Sequence, residues 1–366
     1  MTDRERQLLT WIEEKPLISQ QELAQRAGIT RSSVAVHISN LMKKGLIQGK
    51  GYILQTRPYA VVIGGASTDI FGCPAKPLIA RDSNPGTVSL SPGGVGRNIA
   101  HNLSLLGEQV KMITAFGEDV HAEQITRNCR ELGIDISCSL TVPNAATSTY
   151  LFITNHFGDM ELAISDMEIY NHLTPEFLSG KMDLINRSRI CIADTNPPQE
   201  TLEYLAENCK CPLFVDTVST TKAVKLRGIL DKIHTIKPNR MEAQLLTGIT
   251  ITDDASLEKA ALHFLKLGVK QVFISLGSEG VFCADKDTCI KLPCYPAQIM
   301  NTTGAGDSFL AALAWAHLEG FSLADAARAG LAASSICVAS KETISPQIST
   351  DNILAVINKN GSEIYI

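Results

Sequence analysis

Six short apolar runs, set between amphipathic stretches, place the tightest limit on what this chain folds into. They are YAVVIGG (59–65), KMITAF (111–116), RICIAD (189–194), PLFVD (212–216), IHTIKPN (233–239) and QVFISLG (271–277). None alternates apolar with polar residues, so none reads as a strand with one wet face. Helical periodicity fills the gaps at 96–106, 119–132, 199–208, 240–247 and 256–267. Strands apolar on both sides and joined by helices predict an α/β fold, a mostly parallel sheet with helices on both faces. Such sheets bind ligands beyond the carboxyl ends of their strands. Asp69, Asp194, Asp216, Asn239 and Gly277 fall there.

Two segments break the pattern. Residues 71–92 are Pro-rich and read as irregular. Residues 147–165, TSTYLFITNHFGDMELAIS, read as two strands about a turn. Strands outside the parallel pattern predict a small separate sheet. It serves either as a lid over a site or as a surface hairpin without function.

Charge divides the chain. Residues 1–58 hold nine Lys/Arg against five Asp/Glu, whereas the remaining 308 residues hold 24 against 33. A small basic segment on an acidic body predicts two modules with different partners. Over the whole chain, 45% hydrophobic and 19% charged residues exclude a disordered polypeptide. No apolar run reaches the roughly 18 residues of a membrane span. The start, MTDRERQLLTWIEEK, lacks the apolar core of a signal peptide. The expected location is the cytoplasm, with no membrane partner. The ten cysteines include no C-x-x-C pair, only the C-x-C of Cys209 and Cys211, which predicts reduced and mostly buried thiols rather than disulfides.

The basic segment reads as three helices and a hairpin. Leu8, Leu9 and Ile12 share one helical face. Ser19 and Glu22 spell a capping box, and Gly28 permits a tight turn. Thr30 caps a third helix carrying Val34, Ile38 and Leu41, and GLIQGKGYIL (45–54) reads as a hairpin. This order resembles a winged helix-turn-helix, the small DNA-binding domain of bacterial regulators, and bounds a domain at 1–56. By that resemblance the third helix enters the major groove with Arg31, Ser32, Ser33 and His37 exposed on its first half. Lys43, Lys44 and Lys50 would meet phosphates. A helical module for oligomerisation or effector sensing remains the other use of such a segment.

The most distinctive local motif is NTTGAGDSFLAALAWA (301–316). Gly304 and Gly306 flank Ala305, and Asp307 opens a helix with Phe309, Leu310, Leu313 and Ala314 inward. Small residues at a helix start leave backbone N–H groups free to meet an anion. Asp307 is an odd phosphate ligand but a sensible acceptor for the proton of an attacking hydroxyl, with a low pKa expected at a helix start. An ordinary Asp cap after a glycine turn is the plain alternative. The chain has no G-x-x-x-x-G-K-[ST], which excludes a P-loop kinase, and no G-x-G-x-x-G at its first strand.

The first strand instead ends GGASTD (64–69), followed by SPGGVGRNIAHNLSLLG (91–107). With KPNRMEA (237–243), SLGSEG (275–280) and NTTGAGDSF (301–309), these motifs resemble the PfkB family of carbohydrate and nucleoside kinases, the ribokinase-like fold. The resemblance spans 59–350 and implies a kinase domain at 57–366 with a lid from about 71–92 and 147–165. It implies that Asp69 binds ribose hydroxyls beside Gly93, Gly94 and Asn98. Asn239 and Glu242 would orient Mg2+ and the triphosphate, partly through water. Ser275, Gly277, Gly280 and Thr303 would line the ATP site. Gly304, Ala305 and Gly306 would form the anion hole, and Asp307 would be the base. Taken alone, Glu242 reads as a solvated helix residue and Gly93-Gly94 as a tight turn. Many members carry Asp where this chain has Asn301, and that carboxylate helps hold a monovalent cation. Asn lacks the charge, so K+ activation is not implied, although backbone oxygens near 335–340 remain as ligands. Resembling kinases commonly form homodimers through lid strands.

SDM (165–167), DTNPP (194–198) and VDTVSTTKA (215–223) are similar to the pseudouridine kinase branch. That likeness implies ATP-dependent phosphorylation of a nucleoside 5′-hydroxyl, with Asp166 or Asn196 near the base or ribose. As plain sequence, these two read as a strand-end turn and a loop before proline, and Lys222 as a solvated helix residue. Inosine, cytidine and a free pentose or hexose stay open as acceptors. So does a nucleoside-sensing transcription regulator with a kinase-like body.

Overall fold

The computed structural model describes residues 1–47, 58–155 and 160–361. It forms two compact units, Met1–Pro58 and Tyr59–Ile366.

The first unit is built on helices Asp3–Glu14, Gln20–Ala27 and Arg31–Lys43. Leu8, Ile12, Leu23, Val34, Ile38 and Leu41 bury themselves together, as their helical spacing requires. The full capping box lies one helix earlier than expected. Thr2 and Glu5 satisfy each other's backbone N–H groups, while Ser19 accepts from Glu22 N and the Glu22 carboxylate turns to Lys15 at 2.8 Å. Of the anticipated hairpin, residues 48–54 lie outside the described residues, and Lys50 with them.

The second unit centres on an eight-stranded sheet. Its spatial order is 289–292, 281–284, 271–275, 235–237, 213–216, 190–194, 60–63, 110–113. The six strands on the 110–113 side run parallel, and the last two hairpins are antiparallel. Alternate side chains show why hydropathy did not alternate. Val62, Ile190, Ile192 and Phe214 pack on one face with the helices Val95–Leu105, Ala305–Leu318 and Leu323–Val338. Val61, Ile63, Cys191 and Val215 pack on the other with Gln199–Asn208 and Asp254–Lys266. Both faces are dry, so both sets must be apolar.

A second, four-stranded sheet joins Gly86–Gly93, Ser67–Pro74, Thr149–Thr154 and Met160–Asp166 in that order. This corrects the reading of 71–92 as irregular. Half of it is strand, 71–74 and 86–92, its prolines falling at Pro74 and Pro92 near strand ends and in the turn between. Pro92 lies on the edge strand, and Pro74 is the last residue of its inner strand. Pairing places Asp69 opposite Ser91 on one side and Tyr150 on the other. All ten cysteines are free thiols, but only Cys129, Cys191, Cys283 and Cys337 are buried.

Candidate active site

The floor of the site is tied together by Asp194, fully buried at the end of its strand. Its Oδ2 accepts from the N–H groups of Gly65 and Gly96, each at 2.8 Å, and its Oδ1 from Asn196 N at 2.8 Å. The loop after the first strand is thus pinned to the start of the helix Val95–Leu105. Burial pushes the Asp194 carboxyl up, and these donors oppose the shift. Asp69 stands on the small sheet with its carboxylate against bare backbone. A side chain at Gly93 would overlap that carboxylate. Burial lifts the Asp69 pKa to about 6, against the Ser67 hydroxyl at 3.2 Å and the Arg97 charge.

Asp307 opens the helix Ala305–Leu318, whose residues 308–316 are all buried, so its axis cannot shift freely. Gly304 precedes it in the left-handed region with φ 82°, and a β-carbon there would collide with Thr343 O. No side chain caps this helix start. The Ala305 N–H leans on Thr302 O at a long 3.4 Å. A β-carbon on Gly306 would stand 3.3 Å from Lys237 Nζ, so the lysine lies beside the helix start. Asp307 Oδ2 accepts from Asn98 Nδ2 at 2.8 Å. Its pKa rises to about 7, first through burial and then through the nearby Asp216 charge, with Asn98 and Lys237 pulling the other way. That corrects the expectation of a low value. The helix start was legible in the sequence, but the carboxylates of Asp216 and Asp194 arrive from distant strands. Asn98 donates from Nδ2 to Asp307, while its Oδ1 accepts from Arg97 at 3.0 Å.

Lys237 escaped notice in the sequence. It ends a strand, 7% exposed, with Nζ 3.1 Å from Asp216 Oδ2. Burial works against its charge, yet Asp216, Asp307 and Glu242 together hold its pKa above the usual value. The available signal was a lysine at the carboxyl end of an apolar run. Glu242 is 4% exposed, which corrects its reading as solvated. Its Oε2 accepts from Thr217 Oγ1 at 2.6 Å and Asn239 N at 2.8 Å, while Asn239 Oδ1 accepts from Glu242 N at 2.9 Å. Ser275 bridges to Asn239. Gly277 is exposed and Gly280 packs against Leu292 and Pro293.

A cleft of about 910 Å³ opens between the small sheet and residues 299–303 and 341–344. Asp69 and Thr303 line it, and Asp166 does not. Asp166 stays exposed at its strand end, with its main-chain carbonyl accepting from Ser148. A second cavity of about 500 Å³ is lined by Ala297, Ile336, Ala339 and Val356 among others. Ser275, Gly277 and Gly280 are absent from its wall. Lys222 is half-buried, not solvated, and donates to Asn196 Oδ1 at 2.6 Å.

Residues 57–351 match the description pfkB family carbohydrate kinase. The chain belongs to the PfkB family. Residues 1–48 match winged helix-turn-helix DNA-binding domains. Over 361 residues, 98% of this chain and 99% of the relative, it is 40% identical to an uncharacterized sugar kinase, YeiI, of Escherichia coli (strain K12). It is 35% identical to the pseudouridine kinase of the same organism over 83% of this chain and 98% of that protein. The solved ribokinase of Arabidopsis thaliana complexed with ribose and ATP superposes with a TM-score of 0.74 at 25% identity, covering 82% of this chain and 99% of that one. A carbohydrate kinase from Agrobacterium tumefaciens does so with a TM-score of 0.72 at 29% identity, covering 82% and 97%. This PfkB kinase therefore has the ribokinase-like α/β fold and is a phosphotransferase with an alcohol acceptor.

In the PfkB kinase, magnesium fits as a companion of the triphosphate. Among the described residues no group of three His, Cys, Asp or Glu side chains could cage a metal, and one Glu242 oxygen is already occupied. Mg2+ commonly keeps several waters and takes one or two protein oxygens. In the N-terminal unit, Arg31, Ser32, Ser33 and Lys43 are exposed. The Ser32 and Ser33 hydroxyls lie 2.9 and 2.8 Å from Thr30 Oγ1. His37 is half-buried with its Nδ1 enclosed and unpartnered, which corrects its placement on the exposed face. Lys44 pairs with buried Glu5 at 2.6 Å, and that bond leads in holding the Glu5 carboxyl down at about 2.

Among the described residues no helix is long and apolar enough to cross a membrane.

Proposed function

We propose that this kinase transfers the γ-phosphoryl group of ATP to the 5′-hydroxyl of a nucleoside, with pseudouridine as the foremost candidate. One observation carries the reading. Asp307 is held by Asn98 at an uncapped helix start, with a buried lysine beside it and Asp69 on the wall of the adjoining cleft. Asp69 accepts hydrogen bonds from vicinal sugar hydroxyls, and Gly93 lets the ring approach the backbone. Asp307 takes the proton of the attacking hydroxyl as its oxygen bonds to phosphorus. A pKa of about 7 suits a base working near neutral pH. The charge gathering on the transferred group meets the first-turn N–H groups and Lys237. Asn239 and Glu242 would hold Mg2+ through water, and the ion neutralises phosphate charge when bound. Ser275, Gly277, Gly280 and Thr303 border the triphosphate, and the apolar second cavity takes the adenine. The similarity to pseudouridine kinase over nearly that protein's whole length supports the substrate.

Two partners complete the reading. The exposed Arg31, Ser32, Ser33 and Lys43 meet DNA, so the chain also serves as a nucleoside-responsive regulator. Val88, Leu90, Leu162 and Ile164, each more than half exposed on one sheet, bury against a second copy in a homodimer. The need for ATP places the protein in the cytoplasm.

The test is a screen of pseudouridine, uridine, inosine, cytidine, ribose and fructose with ATP, followed by ADP release. Asp307→Asn should lower kcat by about 10²–10⁴, the usual yield of a positioned base, and leave ATP binding intact. Turnover within a few-fold of wild type in that variant rejects the assignment. Fluorescence anisotropy with the chain's own promoter, at several salt concentrations, tests DNA binding. Affinity equal to that for random DNA removes the regulator reading.

A further inference from the structure

Arg97 is 3% exposed and lines the 910 Å³ cleft that Asp69 shares. A buried guanidinium ordinarily finds a carboxylate, but its bonds here go to neutral groups. Nη1 donates to Pro92 O and Asn98 Oδ1, each at 3.0 Å. Nη2 donates to Asn128 Oδ1 at 2.7 Å and reaches His101 Nδ1 at 3.2 Å. Its Nε–H is buried with no partner. The hydroxyl of Thr154, 4% exposed and also on the cleft wall, is likewise unpartnered. Buried polar atoms left so are costly unless something arrives to meet them.

The chemistry of this wall follows from its bonds. Arginine only donates, so His101 Nδ1 must accept, and the ring proton sits on Nε2. Burial and the Arg97 charge hold the His101 pKa down near 4, so the ring is neutral at pH 7. Asn128 has its oxygen engaged by Arg97, which leaves its NH₂ to donate. Arg97, His101 and Asn128 all line the cleft. They offer donors and no free acceptor, whereas Thr154 can accept. The volume lies at the upper end of the roughly 300–1,000 Å³ typical of drug-sized ligands, more than a bare pentose fills. An anionic head fits poorly. Both guanidinium NH₂ groups are engaged, so no two-pronged fork is available, and the Asp69 carboxylate shares the cleft.

We propose that the Arg97–His101–Asn128 wall, with Thr154 on the same cleft, is the subsite that reads a neutral, carbonyl-bearing ring attached to the acceptor sugar, of the pyrimidine-2,4-dione class. Ring carbonyls accept from Arg97 Nε and His101 Nε2, and a ring N–H donates to Thr154 Oγ1. This rests on the nucleoside reading above and supplies its base recognition.

Isothermal titration of the full chain with pseudouridine, uridine and ribose tests it without requiring turnover. Wild type should bind the two nucleosides at least about tenfold tighter than ribose. His101→Leu should cut that ratio by about five- to tenfold, as loss of one buried hydrogen bond does. His101→Gln, which keeps a donor, should restore most of it. The near-isosteric Thr154→Val should cut the ratio by a similar factor. Equal binding of ribose and nucleosides by wild type, or an unchanged ratio in both His101→Leu and Thr154→Val, overturns the inference. Discriminating binding without phosphoryl transfer would sink the proposed reaction and leave this subsite standing.

Discussion

Removing the Asn98 amide should move the pH at which this kinase works. Asn98 is 5% exposed and donates to Asp307 Oδ2 at 2.8 Å. A hydrogen bond to a charged acceptor is worth about 1.5–3 kcal/mol. At 1.36 kcal/mol per pKa unit, its loss raises the Asp307 pKa by about one to two units. From about 7 the value moves to about 8–9. At pH 7 the ionised share then falls from about half to between a tenth and a hundredth, so kcat/KM should drop by roughly 5- to 50-fold. The loss should shrink as pH rises toward 9. Arg97 keeps Pro92 O, Asn128 Oδ1 and His101 Nδ1 as acceptors and loses only the Nη1 bond to Asn98 Oδ1, a cost to stability that acts equally at every pH and so does not move the acidic limb. The assay is kcat/KM for Asn98→Ala and wild type between pH 5.5 and 9.5, because that ratio reports ionisations of the free enzyme. An acidic limb that stays in place while the rate falls equally at every pH would falsify the role given to Asn98.

Three further outcomes follow from the same geometry. Gly304→Ala should abolish most activity and lower Tm, because its β-carbon strikes the Thr343 carbonyl at positive φ, whereas Gly306→Ala meets only the movable end of Lys237 and should fold; circular dichroism melts and turnover distinguish them. Lys237→Met breaks a nearly buried pair with Asp216 and should destabilise by about 3–5 kcal/mol, and it should raise the pH limb of kcat/KM further because Lys237 helps hold Asp307 ionised; an unchanged denaturation midpoint counts against it. Exchanging Na+ for K+ should change turnover less than about twofold, since Asn301 offers a neutral amide whose Nδ2 donates to Lys341 O at 3.2 Å where a carboxylate would draw a cation; strong K+ activation refutes this.

Asp307 also makes the fold sensitive to pH. Its carboxyl titrates near 7 when folded and near 3.8 when unfolded. The folded chain therefore binds more protons between these values, and its stability from this group is lost as pH rises from about 4 to about 7. Asp307→Asn removes that loss, so the inactive variant should melt higher than wild type at pH 8.

Much of the architecture was legible along the chain. The six dry runs became six strands because a sheet covered on both faces has no polar side to record. The caps Thr30 and Asn239 and the turn at Gly28 act within a few residues, so local sequence determines them. The GAGD turn was visible for the same reason: only glycine accepts the backbone at 304. The charge environment of the site was not legible. Asp307 owes its raised pKa first to burial and then to Asp216 and Asp194, which lie more than ninety residues away in sequence, and Glu242 looks solvated until strands and helices close over it. Strand 67–74 hid behind its glycine and closing proline, since an inner strand of a small sheet is defined by partners 12–81 residues distant. Local propensity and periodicity are properties of short segments, whereas desolvation and Coulomb interaction depend on distance in space. Only the folded chain decided those.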